Sequence, residues 1–126
     1  MPTDATRLLD PDEPPAVTID RPEGASPFLL TCDHASHRVP RRLGDLGVAA
    51  ADRMRHIGWD IGALTVARTV SARLDAVLFA AGYSRLVLDL NRPATAPDRM
   101  PETSDGTTVP ANIGLVAGGK NAEEAK

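Results

Sequence analysis

Apolar residues recur at steps of three or four between Ile57 and Leu74, and this spacing limits the possible folds more than any other feature. The stripe consists of Ile57, Ile61, Leu64, Ala67, Val70 and Leu74. Such spacing predicts an amphipathic helix that buries one face. Apolar runs with the length of strands flank it at residues 27–31 and 76–81. Strand, helix and strand in this order predict a βαβ unit with parallel strands and a right-handed crossover, and place the chain in the α/β class.

Shorter elements are expected on both sides of this unit. Residues 17–19 predict a brief strand, and residues 85–90 predict a further strand of the sheet. Residues 41–46 and 49–55 have the composition of short helices, and Gly58 is expected to break or bend the second. The sheet would then have three or four strands, unpaired edges and one long helix on one face. We therefore expect uncovered sheet edges that allow self-association.

Three parts of the chain differ in composition. Residues 1–23 are rich in proline and acidic side chains and predict a flexible leader. Residues 24–115 contain most of the predicted elements and form one domain, as the length of 126 residues favours. Residues 116–126 predict a polar tail.

Composition narrows the classes of function. The net charge is −3 and aromatic residues make up 3%, which disfavours nucleic-acid binding by basic patches or stacking platforms. No glycine-rich phosphate motif is present, so nucleotide binding is also disfavoured. No segment has the pattern of a signal peptide or a membrane span. The one cysteine, Cys32, excludes an internal disulfide, so a soluble cytoplasmic protein is the default expectation.

Three clusters of polar side chains lie beside apolar elements. Their sequences are CDHASH at 32–37, HIGWDIG at 56–62 and DLNRP at 89–93. Ligands of open α/β sheets gather at the carboxyl ends of the strands. The three clusters therefore predict one pocket rather than scattered surface chemistry.

His34 and Asp60 are candidate metal ligands, because imidazole and carboxylate groups both bind zinc. The alternatives are a hydrogen-bonded structural histidine and an aspartate that caps the following helix. His37 lies three residues after His34, a spacing that permits shared ligation on a helical turn, but the sequence around it favours a solvated loop residue. His56 is either a group that orients a ligand or a substrate contact.

The third cluster contains candidate substrate-binding groups. In an extended chain Asp89 and Asn91 lie on one side. Arg92 suits a two-pronged bond with a carboxylate, which favours an acidic small-molecule substrate. The alternative is a structural Asp–Arg pair, and Arg85 allows the same two interpretations. Asn112 follows a turn-rich loop and either contributes to the pocket as part of a lid or serves turn chemistry alone.

Four blocks of the sequence, taken in order, resemble the N-formylglutamate amidohydrolase family. They are CDHASHRVPRRLG, HIGWDIGA, SRLVLDLNRP and SDGTTVPANIGL, and together they span roughly residues 24–115. The resemblance implies a hydrolase that cleaves N-formyl-L-glutamate, or a related N-acyl amino acid, to formate and glutamate in histidine degradation. It also implies a fold similar to zinc-dependent exopeptidases, with three α/β/α layers and a mixed, mostly parallel central sheet.

The resemblance also implies roles for individual residues. His34 and Asp60 correspond to metal ligands, with Zn²⁺ as the expected ion. A nearby carboxylate or imidazole would accept a proton from water, and Asp89 and His56 are the candidates.

The substrate would be held by the third and fourth blocks. Arg92, together with Arg85, is expected to bind the carboxylates of the acyl amino acid, and Asn91 and Asn112 are expected to line the pocket.

Members of the family are much longer than this chain, which matches only their N-terminal half. No histidine follows His56, so a third histidine ligand would have to come from elsewhere. An incomplete domain is therefore expected. The alternative function is that of a noncatalytic remnant or a small-carboxylate binding module.

Overall fold

A three-stranded mixed sheet organises the protein in a computed structural model that describes residues 7–115. Its strands are β1 (Val17–Asp20), β2 (Leu29–Cys32) and β3 (Val77–Ala81), in the order β1-β3-β2. The central strand β3 pairs in parallel with β2 and antiparallel with β1. The predicted α/β class and mixed sheet are confirmed, and the strand at residues 17–19 is present as β1.

The expectation of a mostly parallel sheet is wrong. Only one of the two strand pairings, β2 with β3, is parallel. A parallel connection needs a long crossover, usually a helix. Residues 21–28 connect β1 to β2 without a helix, so they only reverse the direction of the chain.

The predicted βαβ unit is present. Helix α2 (Ala63–Leu74) connects β2 to β3; a shorter helix, α1 (Ala50–Arg53), precedes it. Leu64 and Ala67 of α2 pack on a buried cluster formed by Cys32, Ala35, Leu78 and Ala80. The helix is shorter than the apolar stripe, since Ile57 and Ile61 both precede it. Ile57 is buried in a turn, and Ile61 is 66% exposed.

The expected strand at residues 85–90 is wrong, since this segment forms turns. Two side chains accept hydrogen bonds from backbone N–H groups that, in a sheet, would donate to a neighbouring strand. The Ser84 hydroxyl accepts from the Leu86 N–H at 3.1 Å, and the Asp89 carboxylate accepts from the Asn91 N–H at 2.9 Å. Such local bonds compete with a sheet ladder.

A second buried cluster packs against the first turn of this segment. Leu86 is fully buried there, with Leu46, Val48 and Val109. The surrounding elements are 3₁₀ turns at Arg41–Leu43 and Pro110–Asn112 and a hairpin of β4 (Thr103–Ser104) and β5 (Thr107–Thr108). The helices expected at 41–46 and 49–55 are therefore shorter than predicted, and the polar tail predicted at 116–126 lies outside the described residues.

Apolar side chains are exposed on the side of the sheet opposite α2. Ile19 and Thr31 both pair with Phe79, and alternation puts them on the opposite face from Leu78. Ile19 and Leu29 are exposed there, and β2 is an edge strand. Between residues 7 and 115, no helix is long and apolar enough to cross a membrane.

Candidate active site

Three segments meet beside the end of β2, and backbone hydrogen bonds fix their relation. The Asp60 N–H donates to the His34 carbonyl at 2.9 Å. The Ser84 hydroxyl donates to the Gly58 carbonyl at 2.8 Å, and the Ser84 N–H donates to the Arg38 carbonyl. A Cβ at Gly58 would lie 2.0 Å from a carbonyl oxygen, so the turn requires glycine. These bonds bring the loop after β2, the turn before α2 and the segment after β3 together.

The imidazole of His34 lies between two carboxylates. Its Nε2 is 2.7 Å from Oδ1 of Asp89, and its Nδ1 is 3.2 Å from Oδ2 of Asp60. His34 is 7% exposed and Asp89 is 5% exposed, whereas the side chain of Asp60 is 53% exposed. Nε2 of the ring therefore contacts a buried carboxylate, and Nδ1 contacts a carboxylate that is exposed to solvent.

Asp89 accepts three hydrogen bonds in this interior position. Besides His34, its donors are the Asn91 N–H at 2.9 Å and the Arg85 guanidinium at 3.1 Å. Burial alone would raise the pKa of Asp89, but the bonds from His34 and Asn91 and the charge of Arg85 hold it below its ordinary value. Asp89 is therefore an ionised acceptor, which places a hydrogen on Nε2 of His34.

The carboxylate of Asp60 does not serve the helix. Helix α2 begins at Ala63 after Gly62, which has a left-handed φ of 83°, and no side chain caps it. The alternative interpretation, in which the Asp60 side chain caps the helix, is therefore wrong. Asp60 instead contacts His34 and lies 3.7 Å from the guanidinium of Arg85.

A cavity of about 650 Å³ opens beside this cluster. His34, Asp60 and Asn91 provide polar groups on its wall, together with Asp33 and Thr31. The apolar wall is formed by Leu30, Ile61, Ala63, Val66, Ala67 and Val70. Burial and the charge of Asp60 raise the pKa of the Cys32 thiol, which also lines the cavity, so this thiol is a poor nucleophile.

The pair formed by His34 and Asp60 fits two positions around a zinc ion. When His34 carries a hydrogen on Nε2 only, the lone pair of Nδ1 points toward the Asp60 oxygen, and these two acceptors, 3.2 Å apart, can share a cation. Two ligands of a tetrahedral zinc ion with bonds of about 2.0–2.1 Å lie roughly 3.3 Å apart. A carboxylate on the far nitrogen, here Asp89, is the usual partner of a ligating histidine. Within residues 7–115, no group of three His, Cys, Asp or Glu side chains could hold a metal ion, so the pair offers two ligands.

Five predicted site residues do not line this cavity. Arg85 and Asp89 contact the residues of its wall, and the other three lie elsewhere. His56 is exposed, with Nε2 2.7 Å from Oδ2 of Asp105. Arg92 is exposed and pairs with Asp98 at 3.3 Å. Asn112 is 2% exposed, and its amide donates to two backbone carbonyls at 2.7 and 2.9 Å. The structure thus brings together His34, Asp60, Arg85, Asp89 and Asn91, and leaves the other three apart.

Two supporting residues were not predicted from the sequence. Ser84 links three segments through its hydroxyl and N–H, as described above, and it is 2% exposed. Gly58 was predicted only to bend the chain, but it also accepts the bond from Ser84. For Ser84, the only signal in the sequence was a serine next to an apolar run. The close approach that makes glycine necessary at the second depends on contacts that the sequence does not reveal.

Comparisons with known proteins relate this arrangement to a described family. A model of that family, described as N-formylglutamate amidohydrolase, matches residues 26–124. The structure also resembles the crystal structure of gene product Atu2144 from Agrobacterium tumefaciens, with a TM-score of 0.85 and 36% identity. That alignment covers 94% of this chain and 47% of the other, so this chain spans about half the length of that protein. A comparison with curated proteins finds no match.

Proposed function

Because the chain belongs to the N-formylglutamate amidohydrolase family, we propose that it contributes a metal-dependent site that hydrolyses N-formyl-L-glutamate or a related N-acyl amino acid. The reaction adds water across the amide C–N bond and yields formate and glutamate. The observation that carries the proposal is the position of His34, which lies between buried Asp89 and exposed Asp60 at the wall of a cavity. The family is hydrolytic, and this arrangement supports metal-assisted hydrolysis.

In this proposal His34 and Asp60 are two ligands of a zinc ion. A bound zinc ion would act as a Lewis acid that polarises the scissile carbonyl. Asp89 keeps the hydrogen of His34 on Nε2 and the lone pair of Nδ1 directed toward Asp60. Asp89 is buried and does not line the cavity, so in this proposal it orients His34 and does not accept the proton of water. His56 contacts Asp105 on the surface, and the proposal gives it no part.

The substrate would occupy the cavity beside this pair. Its volume of about 650 Å³ lies within the range of small-molecule sites. Asn91 lines the cavity and can hydrogen bond with the amide or a carboxylate. Arg92 follows it, and its exposed pair with Asp98 is of a kind that contributes little stability. The Arg92 guanidinium is thus available for a substrate carboxylate.

A second candidate function is a small-carboxylate binding module without turnover. The observation that favours it is the number of ligands, because residues 7–115 provide no group of three that could hold a metal ion. Catalytic zinc sites commonly have three protein ligands. In the first candidate, His34 and Asp60 would hold the zinc ion, and water and the substrate would fill its remaining positions.

Release of formate from N-formyl-L-glutamate tests the proposal. We expect the purified chain to release formate with added zinc and to stop when a chelator removes the metal. His34→Ala should abolish release, whereas the matched control His37→Ala should not, because His37 packs edge-on against Trp59 and does not line this cavity. A folded chain that binds N-formyl-L-glutamate calorimetrically but releases no formate would overturn the first candidate in favour of the second.

A further inference from the structure

The guanidinium of Arg85 bridges the two carboxylates that flank His34. One terminal nitrogen is 3.1 Å from Oδ2 of Asp89, and the other is 3.7 Å from Oδ1 of Asp60. The first contact is anchored in the interior, since Asp89 is buried. The second reaches a carboxylate that is more than half exposed. Arg85 thus connects a fixed acid to one that extends from a turn.

Asp60 requires such a connection to stay beside His34. Its side-chain contacts in residues 7–115 are with the His34 ring and with Arg85. An exposed carboxylate without a fixed partner exchanges between rotamers. The planar fork of arginine can direct separate nitrogens at two carboxylates, which a lysine ammonium cannot reproduce.

We propose that Arg85 is a positioning residue that holds the Asp60 carboxylate beside Nδ1 of His34 by tying it to buried Asp89. The inference rests on the proposed function, since it concerns how the two zinc ligands are aligned. It differs from the sequence-based expectation that Arg85 binds substrate. Both terminal nitrogens of Arg85 already face protein carboxylates, whereas Arg92 contacts only one, on the surface.

The charge of Arg85 makes the proposal sharply testable. A positive charge near a divalent cation opposes its binding, so its removal alone should strengthen zinc affinity. Loss of alignment should have the opposite effect. The direction of the change therefore separates a positioning role from a simple electrostatic one.

The experiment is a calorimetric zinc titration of Arg85→Met, Arg85→Lys and the matched control Arg41→Met. The Arg41 guanidinium also joins two carboxylates, those of Asp10 and Asp12, but away from this site. We expect Arg85→Met to weaken zinc binding by about 10- to 100-fold, the range for groups that orient metal ligands. Arg85→Lys keeps the charge but not the fork and should also bind more weakly than the wild type. Arg41→Met should leave zinc affinity unchanged. Unchanged or tighter binding by Arg85→Met would overturn the proposal.

Two further measurements show whether the effect passes through Asp60. In an Asp60→Asn background, Arg85→Met should cause no additional loss of zinc affinity; fully additive losses would overturn the proposal. Without metal, the NMR couplings that report χ1 of Asp60 should become averaged in Arg85→Lys, and they decide the question if Arg85→Met fails to fold. Couplings that match the wild type would count against positioning.

The His34→Ala variant separates failure of this inference from failure of the proposed function. If that variant binds zinc as tightly as the wild type, the proposed function fails. If His34→Ala abolishes zinc binding while Arg85→Met does not weaken it, only the inference about Arg85 fails.

Discussion

Replacing Asp89 with asparagine should reverse the tautomer of His34 while preserving the shape of the side chain. Asparagine presents one acceptor and one donor group where aspartate presents two acceptors. If the amide oxygen keeps the bond from Arg85, the amide nitrogen faces both His34 and the Asn91 N–H. The Asn91 N–H then loses its acceptor, and Nε2 of the ring must become an acceptor. The hydrogen then moves to Nδ1, where it donates to Asp60 at 3.2 Å. A protonated Nδ1 cannot bind a metal.

The magnitude follows from the bonds that Asp89 makes. Two side-chain donors, His34 and Arg85, bond to its carboxylate in the interior. A bond to a charged group contributes about 1.5–3 kcal/mol and a neutral one about 0.5–1.5 kcal/mol. Replacing two bonds to a charged carboxylate with two bonds to a neutral amide should lower the free energy of unfolding by roughly 2–3 kcal/mol. Zinc affinity should fall about 10- to 100-fold.

Three measurements check this prediction. Urea unfolding gives the change in stability, calorimetry gives the zinc affinity, and long-range proton–nitrogen NMR spectra identify the protonated ring nitrogen of His34. The matched control is Asp98→Asn. Because Asp98 is exposed, this replacement should change the free energy of unfolding by no more than about 0.5 kcal/mol. An Asp89→Asn variant that retains the hydrogen on Nε2 and the zinc affinity of the wild type would refute the reasoning.

Three other predictions follow from the structure. The pKa of Asp89 is lower in the folded chain than in the unfolded one, so its contribution to stability is complete above about pH 4 and disappears as the pH falls through the lowered pKa. The difference in free energy of unfolding between wild type and Asp89→Asn should therefore shrink when unfolding is measured at acid pH. A difference that stays constant with pH would contradict this. Asn112→Ala leaves two backbone carbonyls without their hydrogen-bond donor, so it should lower the free energy of unfolding by about 2–4 kcal/mol without changing the zinc affinity measured by calorimetry. A loss of substrate affinity with unchanged stability would instead support a substrate contact. The exposed edge and face of the sheet should make sedimentation concentration-dependent, and Leu29→Lys should reduce this dependence; a monomer at all concentrations would contradict it.

The βαβ unit could be predicted because its signal is local. The apolar period of three to four and the two flanking runs each lie within a few turns of chain. The direction of β1 could not be predicted in the same way, since it depends on pairing with residues 77–81, far along the chain. The strand expected at residues 85–90 failed for another reason. Its apolar composition was right, but Ser84 and Asp89 satisfy nearby backbone groups locally.

The candidate site was predictable where polar residues follow apolar runs. His34 comes two residues after β2, at the edge of the sheet where the parallel strands β2 and β3 end. Asp89 was assigned to a strand at residues 85–90 that does not form, and turns after β3 bring it to the same edge. Arg92 and Asn112 were assigned to the site from the chemistry of their side chains and from the family resemblance. The first turns to Asp98 and the second into the interior, which the spacing of residues does not reveal. The bridge made by Arg85 likewise depends on the three-dimensional positions of two acids.

Anomalous diffraction at the zinc edge, from crystals of the chain grown with zinc, tests the central claim most directly. The account predicts a peak within about 2.2 Å of both Nδ1 of His34 and a carboxylate oxygen of Asp60, with Asp89 still bonded to Nε2. Zinc located elsewhere, for example between His56 and Asp105, with Nδ1 of His34 still 3.2 Å from Asp60 and no metal between them, would contradict it.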